Sequence, residues 1–332
     1  MHRKAAAVFV VASAVILSAL PVSVQVPSEA APLADATVSH LGVVVPDIEV
    51  AARKYAELFG LDPILIRTSQ VDLPDGSKTV LKIANVPLPN FAIELVEPVG
   101  KAGPLYEHLQ KFGPSVHHIG TILPGGPGSV DEMRAALEKR GAKWTLGAKG
   151  GSYAYVDFRD RLGATIEIQR TANGTSLVTP ADAVEKGLFG GRPLSHFGIA
   201  TPDVDATINA FVEILGVRPA KAARFPNPPK PFEFPPGMWN RDAYVMVTQV
   251  RQGKIGIELI QSIGSPTPWS EVVRKFGGPE VQHIAVGRGS LSRDEWLRIG
   301  QERGGKWTNG GPPPDGTFAY LDFTSTLGLV FE

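Results

Sequence analysis

Apolar and polar positions along the chain recur in a fixed order. An apolar stretch of strand character, Val38-Ser39-His40-Leu41-Gly42-Val43-Val44-Val45-Pro46-Asp47, returns as Leu194-Ser195-His196-Phe197-Gly198-Ile199-Ala200-Thr201-Pro202-Asp203. Each is followed by apolar residues at helical spacing, Ala51 to Phe59 and Ala206 to Leu215, and then by Gly60 and Gly216. Asp47 and Asp203 stand where a short acid accepts from the free amides of a first helical turn, and the glycines stand where a chain leaves a helix. Both runs are therefore predicted helices. His118-Ile119-Gly120 and His283-Ile284-Ala285 open two more apolar stretches ahead of helical patterns. Downstream of each of the four comes a short strand carrying one acid: Ile93-Glu94-Leu95, Ile166-Glu167-Ile168, Ile257-Glu258-Leu259 and Val330-Phe331-Glu332. The unit reads strand, helix, two strands, strand, four times over. Side chains alternate across a strand, so each Glu faces opposite to its branched neighbours. In a sheet curved around a cleft, Glu then points into the cleft while Ile and Leu pack beneath helices.

The four units fall into two similar halves. His118 recurs as His283, and Tyr155-Val156-Asp157-Phe158 as Tyr320-Leu321-Asp322-Phe323, each 165 residues on; Lys143-Trp144-Thr145 returns as Lys306-Trp307-Thr308. This predicts two homologous domains, at residues 36–171 and 193–332, with the polar, glycine-bearing stretch 172–192 as linker. Whether the units pair within each half or exchange between halves is open at this level.

Composition narrows the class of protein. The chain has 332 residues, 43% of them apolar, which excludes intrinsic disorder as its main description. Lys plus Arg and Asp plus Glu both number 33, and no run of five like charges occurs, so neither nucleic acid nor an anionic membrane surface is an expected partner. With no cysteine, disulfides, thiolate nucleophiles and Cys-ligated metal sites are excluded. A basic start at His2, Arg3 and Lys4, an apolar run from Ala5 to about Leu20, and the small residues of Ser28-Glu29-Ala30 form a signal peptide over residues 1–30. The mature protein is accordingly expected to be exported, periplasmic or secreted, with no stable membrane span after cleavage.

The chemistry sits in the repeat. Of seven histidines, four occupy the same repeated position, and each precedes an embedded Glu by 54, 49, 62 or 49 residues. Imidazole and carboxylate together suit Zn, Ni, Co, Mn or Fe(II), without selecting among them. His117 is expected on the opposite face from His118, His108 exposed on a helix from Leu105 to Phe112, and Trp144 and Trp307 in the core. The segment Phe225 to Trp239, rich in proline and aromatics, reads as a long hairpin loop or a lid over the second cleft. Its first-half counterpart, Ser69 to Lys78, is more polar.

These motifs resemble the vicinal oxygen chelate superfamily, which includes lactoylglutathione lyase, methylmalonyl-CoA epimerase and extradiol dioxygenases. The resemblance covers nearly the whole chain after residue 30, once per half. It rests on His-x-Gly at a strand start, on Pro114-Ser115-Val116-His117-His118-Ile119-Gly120, and on Gly163-Ala164-Thr165-Ile166-Glu167 and Gly328-Leu329-Val330-Phe331-Glu332. Ser325-Thr326-Leu327-Gly328 looks most like the epimerase branch. The resemblance implies an α+β fold of two tandem domains, each pairing two βαβββ modules in a curved sheet around a cleft. It also implies a divalent metal ion held by His40, Glu94, His118 and Glu167 and, in the second half, by His196, Glu258, His283 and Glu332. With module exchange the set would be His40, Glu94, His283 and Glu332 instead. The expected activity is that of an isomerase, epimerase or lyase moving a proton next to a metal-coordinated carbonyl of a small oxygenated substrate, with Glu167 and Glu94 as the acid–base pair. The alternatives are a ring-cleaving dioxygenase of the extradiol type and a non-catalytic small-molecule binding protein. Glu332, with a free α-carboxylate nearby and no downstream backbone pairs, is expected to make the second site the weaker one.

Overall fold

The computed structural model describes residues 30–124, 129–170, 187–225, 244–264, 266–311 and 318–332. The expected signal peptide up to residue 29, most of the expected linker and nearly all of the segment Phe225 to Trp239 lie outside these residues. Among the described residues no helix is long and apolar enough to cross a membrane.

The first half runs β1 (Thr37–Val44), α1 (Ile48–Phe59), β2 (Ile66–Asp72), β3 (Lys78–Leu88), β4 (Phe91–Pro98), α2 (Pro104–Phe112), β5 (Ser115–Ile122), α3 (Ser129–Glu138), β6 (Lys143–Leu146), β7 (Tyr153–Asp157), α4 (Arg159–Leu162) and β8 (Thr165–Gln169). The second repeats it as β9 (Leu194–Ala200), α5 (Val204–Leu215), β10 (Ala223–Phe225), β11 (Tyr244–Gln252), β12 (Ile255–Ile263), α6 (Pro268–Phe276), β13 (Glu280–Val286), α7 (Arg293–Glu302), β14 (Lys306–Gly310), β15 (Ala319–Asp322), α8 (Thr324–Leu327) and β16 (Val330–Phe331). The predicted caps form. Asp47 accepts from the amides of Glu49 and Val50, Asp203 accepts from that of Ala206, and Gly60 and Gly216 take left-handed conformations.

Each half is one eight-stranded sheet, in the orders β2-β3-β4-β1-β5-β8-β7-β6 and β10-β11-β12-β9-β13-β16-β15-β14. Modules pair inside each half: β1 lies parallel to β4 and antiparallel to β5, and β5 lies parallel to β8. The exchanged arrangement is therefore absent. One face of each sheet carries the apolar partners of the glutamates, among them Leu41, Ile93, Ile119, Ile166, Ile257 and Ile284, all fully buried. They join the apolar faces of α1 and α5 in a single core that runs through both halves.

The contact between halves is specific. Tyr55 Oη donates to the Leu327 carbonyl at 2.9 Å, Asn90 bonds the backbone of Leu194 both ways, and Phe112 and Phe276 stack at 4.5 Å. Leu188 and Phe189, expected in a solvated linker, are buried, with Phe189 stacked on Phe331. Residues just after the expected cleavage point dock onto the second half, where Gln252 Nε2 donates to the Ala36 carbonyl at 2.8 Å.

Candidate metal centre

The four central strands of the first sheet, β4-β1-β5-β8, carry Glu94, His40, His118 and Glu167 in that order. The register places Glu94 beside Gly42 and Gly42 beside His118, while in the next row His40 pairs with Gly120 and Gly120 with Glu167. Each imidazole thus faces a glycine across the strand pair, and that glycine leaves the room its ring occupies. A Cβ on Gly42 would lie 1.7 Å from the His118 ring, and one on Gly120 would lie 1.9 Å from the His40 ring.

The four side chains converge, each offering one ligand atom within 4.8 Å of the others, and all four are buried. His40 Nε2 stands 2.8 Å from Glu167 Oε2, 3.9 Å from Glu94 Oε2 and 3.3 Å from His118 Nε2; His118 Nε2 lies 3.4 Å from Glu94 Oε2 and 3.6 Å from Glu167 Oε2. The second half repeats this with His196, Glu258, His283 and Glu332, at separations from 3.0 to 3.7 Å. There the two histidines are buried and the two glutamates half-buried. Glu332 is not loosely held, as the sequence suggested: its amide donates to the Ile284 carbonyl and its carbonyl accepts from the Val286 amide.

These donors fit a divalent ion. Ligands at about 2.0–2.2 Å from a shared ion stand roughly 2.9–3.6 Å apart, close to the spacing seen. Glu167 Oε2 is buried and accepts no well-formed hydrogen bond. The ring tautomers also suit. Ser39 Oγ donates to the Gly120 carbonyl at 3.2 Å and lies 3.0 Å from His40 Nδ1, so Nδ1 carries the proton and Nε2 presents its lone pair to the cluster. Gln282 Oε1 does the same for His283 Nδ1 at 2.7 Å.

The carboxylates also set the protonation of the imidazoles. Burial opposes a charged His40, but the Glu167 carboxylate, and then Glu94, outweigh it and raise its pKa. Burial likewise opposes ionised Glu94, yet its bond to His118 and the charge of His40 lower it. In the second half burial is outweighed again: His283 rises to about 9 beside Glu258 and Glu332, and Glu332 falls to about 2 beside His196 and His283.

Sequence patterns missed several neighbours of the cluster. Tyr155 packs edge-on against the His118 ring at 4.9 Å; burial first, then the nearby carboxylates of Glu167 and Glu94, push its phenol well above the usual range and keep it protonated. Tyr320 repeats this beside His283 and Glu332. The available signal was the recurrence of the two tyrosines at the 165-residue offset. Arg67, from β2, brings Nη2 to 3.6 Å from Glu94 Oε1; nothing in the pattern marked it. His117 is buried, its Nδ1 3.4 Å from that of His118. His108 is buried as well, not exposed: Phe276 of the other half lies 6.3 Å from its ring, and its Nε2 bonds Ser115 Oγ at 2.7 Å.

The profile of the Glyoxalase/Bleomycin resistance protein/Dioxygenase superfamily matches residues 39–155 and 195–313. The chain belongs to this superfamily. Each match to the superfamily contains three of the four clustered residues and ends before the last Glu. Two curated relatives each align with 40% of the chain, about one half. The ethylmalonyl-CoA/methylmalonyl-CoA epimerase of Cereibacter sphaeroides is 30% identical over 142 residues, 96% of its length. The mitochondrial methylmalonyl-CoA epimerase of Homo sapiens is 27% identical over 134 residues, 72% of its length. Among solved structures, a mutant of 4-hydroxymandelate synthase from Streptomyces coelicolor superposes with a TM-score of 0.52 at 14% identity, covering 82% of this chain and 76% of that one. That likeness is one of fold.

Proposed function

We propose that the first cleft catalyses metal-dependent proton transfer at a carbon next to a carbonyl, as an isomerase, epimerase or lyase acting on a small oxygenated substrate. The observation that carries this reading is the convergence of two imidazoles and two carboxylates in one buried cluster. A divalent ion bound by His40, Glu94, His118 and Glu167 supplies Lewis acidity to a substrate oxygen and so stabilises the charge that builds when the neighbouring C–H ionises. His40 and His118 hold their places through Ser39 and the facing glycines. Glu167 is the base: its carboxylate takes the proton from carbon. Glu94, on the other side of the histidine pair and beside Arg67, returns the proton from the opposite side. The two curated relatives are epimerases by name, which supports this choice within a superfamily that also contains dioxygenases. The expected signal peptide places the reaction outside the cytoplasm, which cell fractionation tests.

The deciding experiment is solvent deuterium incorporation at the substrate α-carbon, run on metal-loaded protein with a panel of 2-oxo, 2-hydroxyaldehyde and acyl-thioester compounds. Exchange is expected with at least one class. Glu167→Gln should keep much of the metal and lose rate by about two to four orders of magnitude. Oxygen consumption with opening of an aromatic diol would establish the dioxygenase instead. Metal-free protein that binds a small ligand without exchange would establish a binding protein.

A further inference from the structure

The halves differ in charge where they meet. In the first half Arg159, at the start of α4, reaches across the contact. Its Nη1 lies 2.7 Å from Glu280 Oε2, its Nη2 donates to the His117 carbonyl at 3.0 Å, and the guanidinium sits 5.9 Å from the Phe112 ring centre. At the matching places 165 residues away, Thr324 stands for Arg159, Ser115 for Glu280 and Gln282 for His117. Thr324 Oγ1 reaches only Asp322, two residues before it. The space filled by a guanidinium and a carboxylate on one side is open on the other, as a cavity of about 670 Å³.

Pro114 and Ser115 of the first half close one side of this cavity, and Phe276, Val281, Trp307 and Val330 form the apolar wall opposite. Neither the four clustered residues of the second half nor Tyr320 line it; Gln282, whose Oε1 lies 2.7 Å from His283 Nδ1, belongs to its wall and is its contact with the candidate metal centre. Its charged groups are unevenly matched. Glu271 is taken up by Arg274, and Asp322 accepts from the amide and hydroxyl of Thr324. Lys275 and Lys306 are exposed; Lys275 lies 5.1 Å from the Phe276 ring centre, and Lys306 faces Asp322 across the β14–β15 pair. The lining holds three cations, Arg274, Lys275 and Lys306, against two carboxylates, Glu271 and Asp322, so its net charge is positive, above an apolar wall containing two aromatic rings. Pockets of about 300–1,000 Å³ at domain contacts are the usual size and place for small-molecule sites.

We propose that this interdomain pocket binds an anionic amphiphile: a small molecule with an aromatic or short acyl body and one carboxylate or sulfonate group. The body lies against Phe276, Val281 and Trp307, where its burial supplies the affinity. The anionic group meets Lys275 and Lys306, and Thr308 and Thr324 offer hydroxyls between the two.

The test uses the full chain and 8-anilinonaphthalene-1-sulfonate as probe, read by its own fluorescence and by energy transfer from tryptophan, with octanoate as competitor. One molecule per chain is expected, displaced by octanoate. Thr324→Arg, which restores the side chain found in the first half, should weaken binding by about tenfold or more, as should the charge reversal Lys306→Glu. Lys306 is exposed, so its variant decides the matter if Thr324→Arg fails to fold. His196→Ala, which touches no residue of the pocket wall, should leave binding unchanged. Absence of saturable binding, equal affinity in Lys306→Glu, or loss in His196→Ala would overturn the proposal, the last by placing the probe in the metal cleft.

Discussion

The two clefts share one ligand geometry, and a tyrosine, a serine and a glycine beside it, and differ in the polar groups farther out. In the first, Arg67 stands beside Glu94, and Tyr153, its phenol raised to about 12 by burial and then by Glu167, adds a hydroxyl. In the second, Gln249 Nε2 donates to Glu258 Oε1 at 3.3 Å, and Phe318 takes the place of Tyr153. The glycine that makes room for His40 is replaced opposite His196 by Ala285, and there the Ser195–His196 contact is longer, 3.5 Å against 3.0 Å. Four donors can therefore stay convergent while the polarity of the surrounding cleft changes, and the surroundings decide what each cleft admits.

This comparison breaks first, and most completely, on metal content. His40→Ala should remove one equivalent of metal per chain and His196→Ala the other, by elemental analysis of loaded protein. If His40→Ala empties both sites, the halves are not independent centres. Next in size is the contact between halves. Arg159→Ala leaves Glu280 and the His117 carbonyl without their donor and should cost about 3–5 kcal/mol in chemical denaturation. Thr324→Ala, at the matching position, should stay within about 0.5 kcal/mol.

The pH dependence of loading sharpens the comparison further. His283 holds a proton up to about 9 because Glu258 and Glu332 outweigh the effect of burial. An entering ion must displace that proton, so affinity at the second centre should rise about tenfold per pH unit from 6 to about 9 and then level off. Titrations on His40→Ala protein isolate this slope; a flat profile would mean that no proton leaves on loading. The smallest expected difference lies in the caps. Asp47 accepts from two amides and Asp203 from one, so Asp47→Ala should cost about 1–2 kcal/mol and Asp203→Ala about 1.

Much of the fold and of the cluster was legible because strand alternation and helix capping are local. An embedded Glu between branched residues must face away from them, and an Asp before a periodic run must meet free amides. What was illegible depends on partners distant in sequence. His108 looked exposed on its own helix, but it is covered by Phe112, by His117 of β5 and by Phe276 of the other half. Arg159 and Glu280 carry no shared motif, and their positions in the repeat hold Thr324 and Ser115 in the other copy. Module pairing was unreadable for the same reason: pairing within or between halves would give each strand the same pattern of facing residues. The pairing of Tyr155 with Glu167 across β7 and β8 required the order of those strands in the sheet, which periodicity does not contain.

Gly42 and Gly198 have a consequence for how such a chain could drift over generations. Each faces a fully buried imidazole so closely that a single added methyl would stand inside the ring, 1.7 Å from His118 or 1.8 Å from His283. A glycine-to-alanine exchange at either position would therefore force the facing ring to shift while all four clustered side chains stayed in the sequence. The second half has accepted one such exchange, Ala285 opposite His196, so the small residues between the ligands record more of a lineage's adjustments than the ligands do.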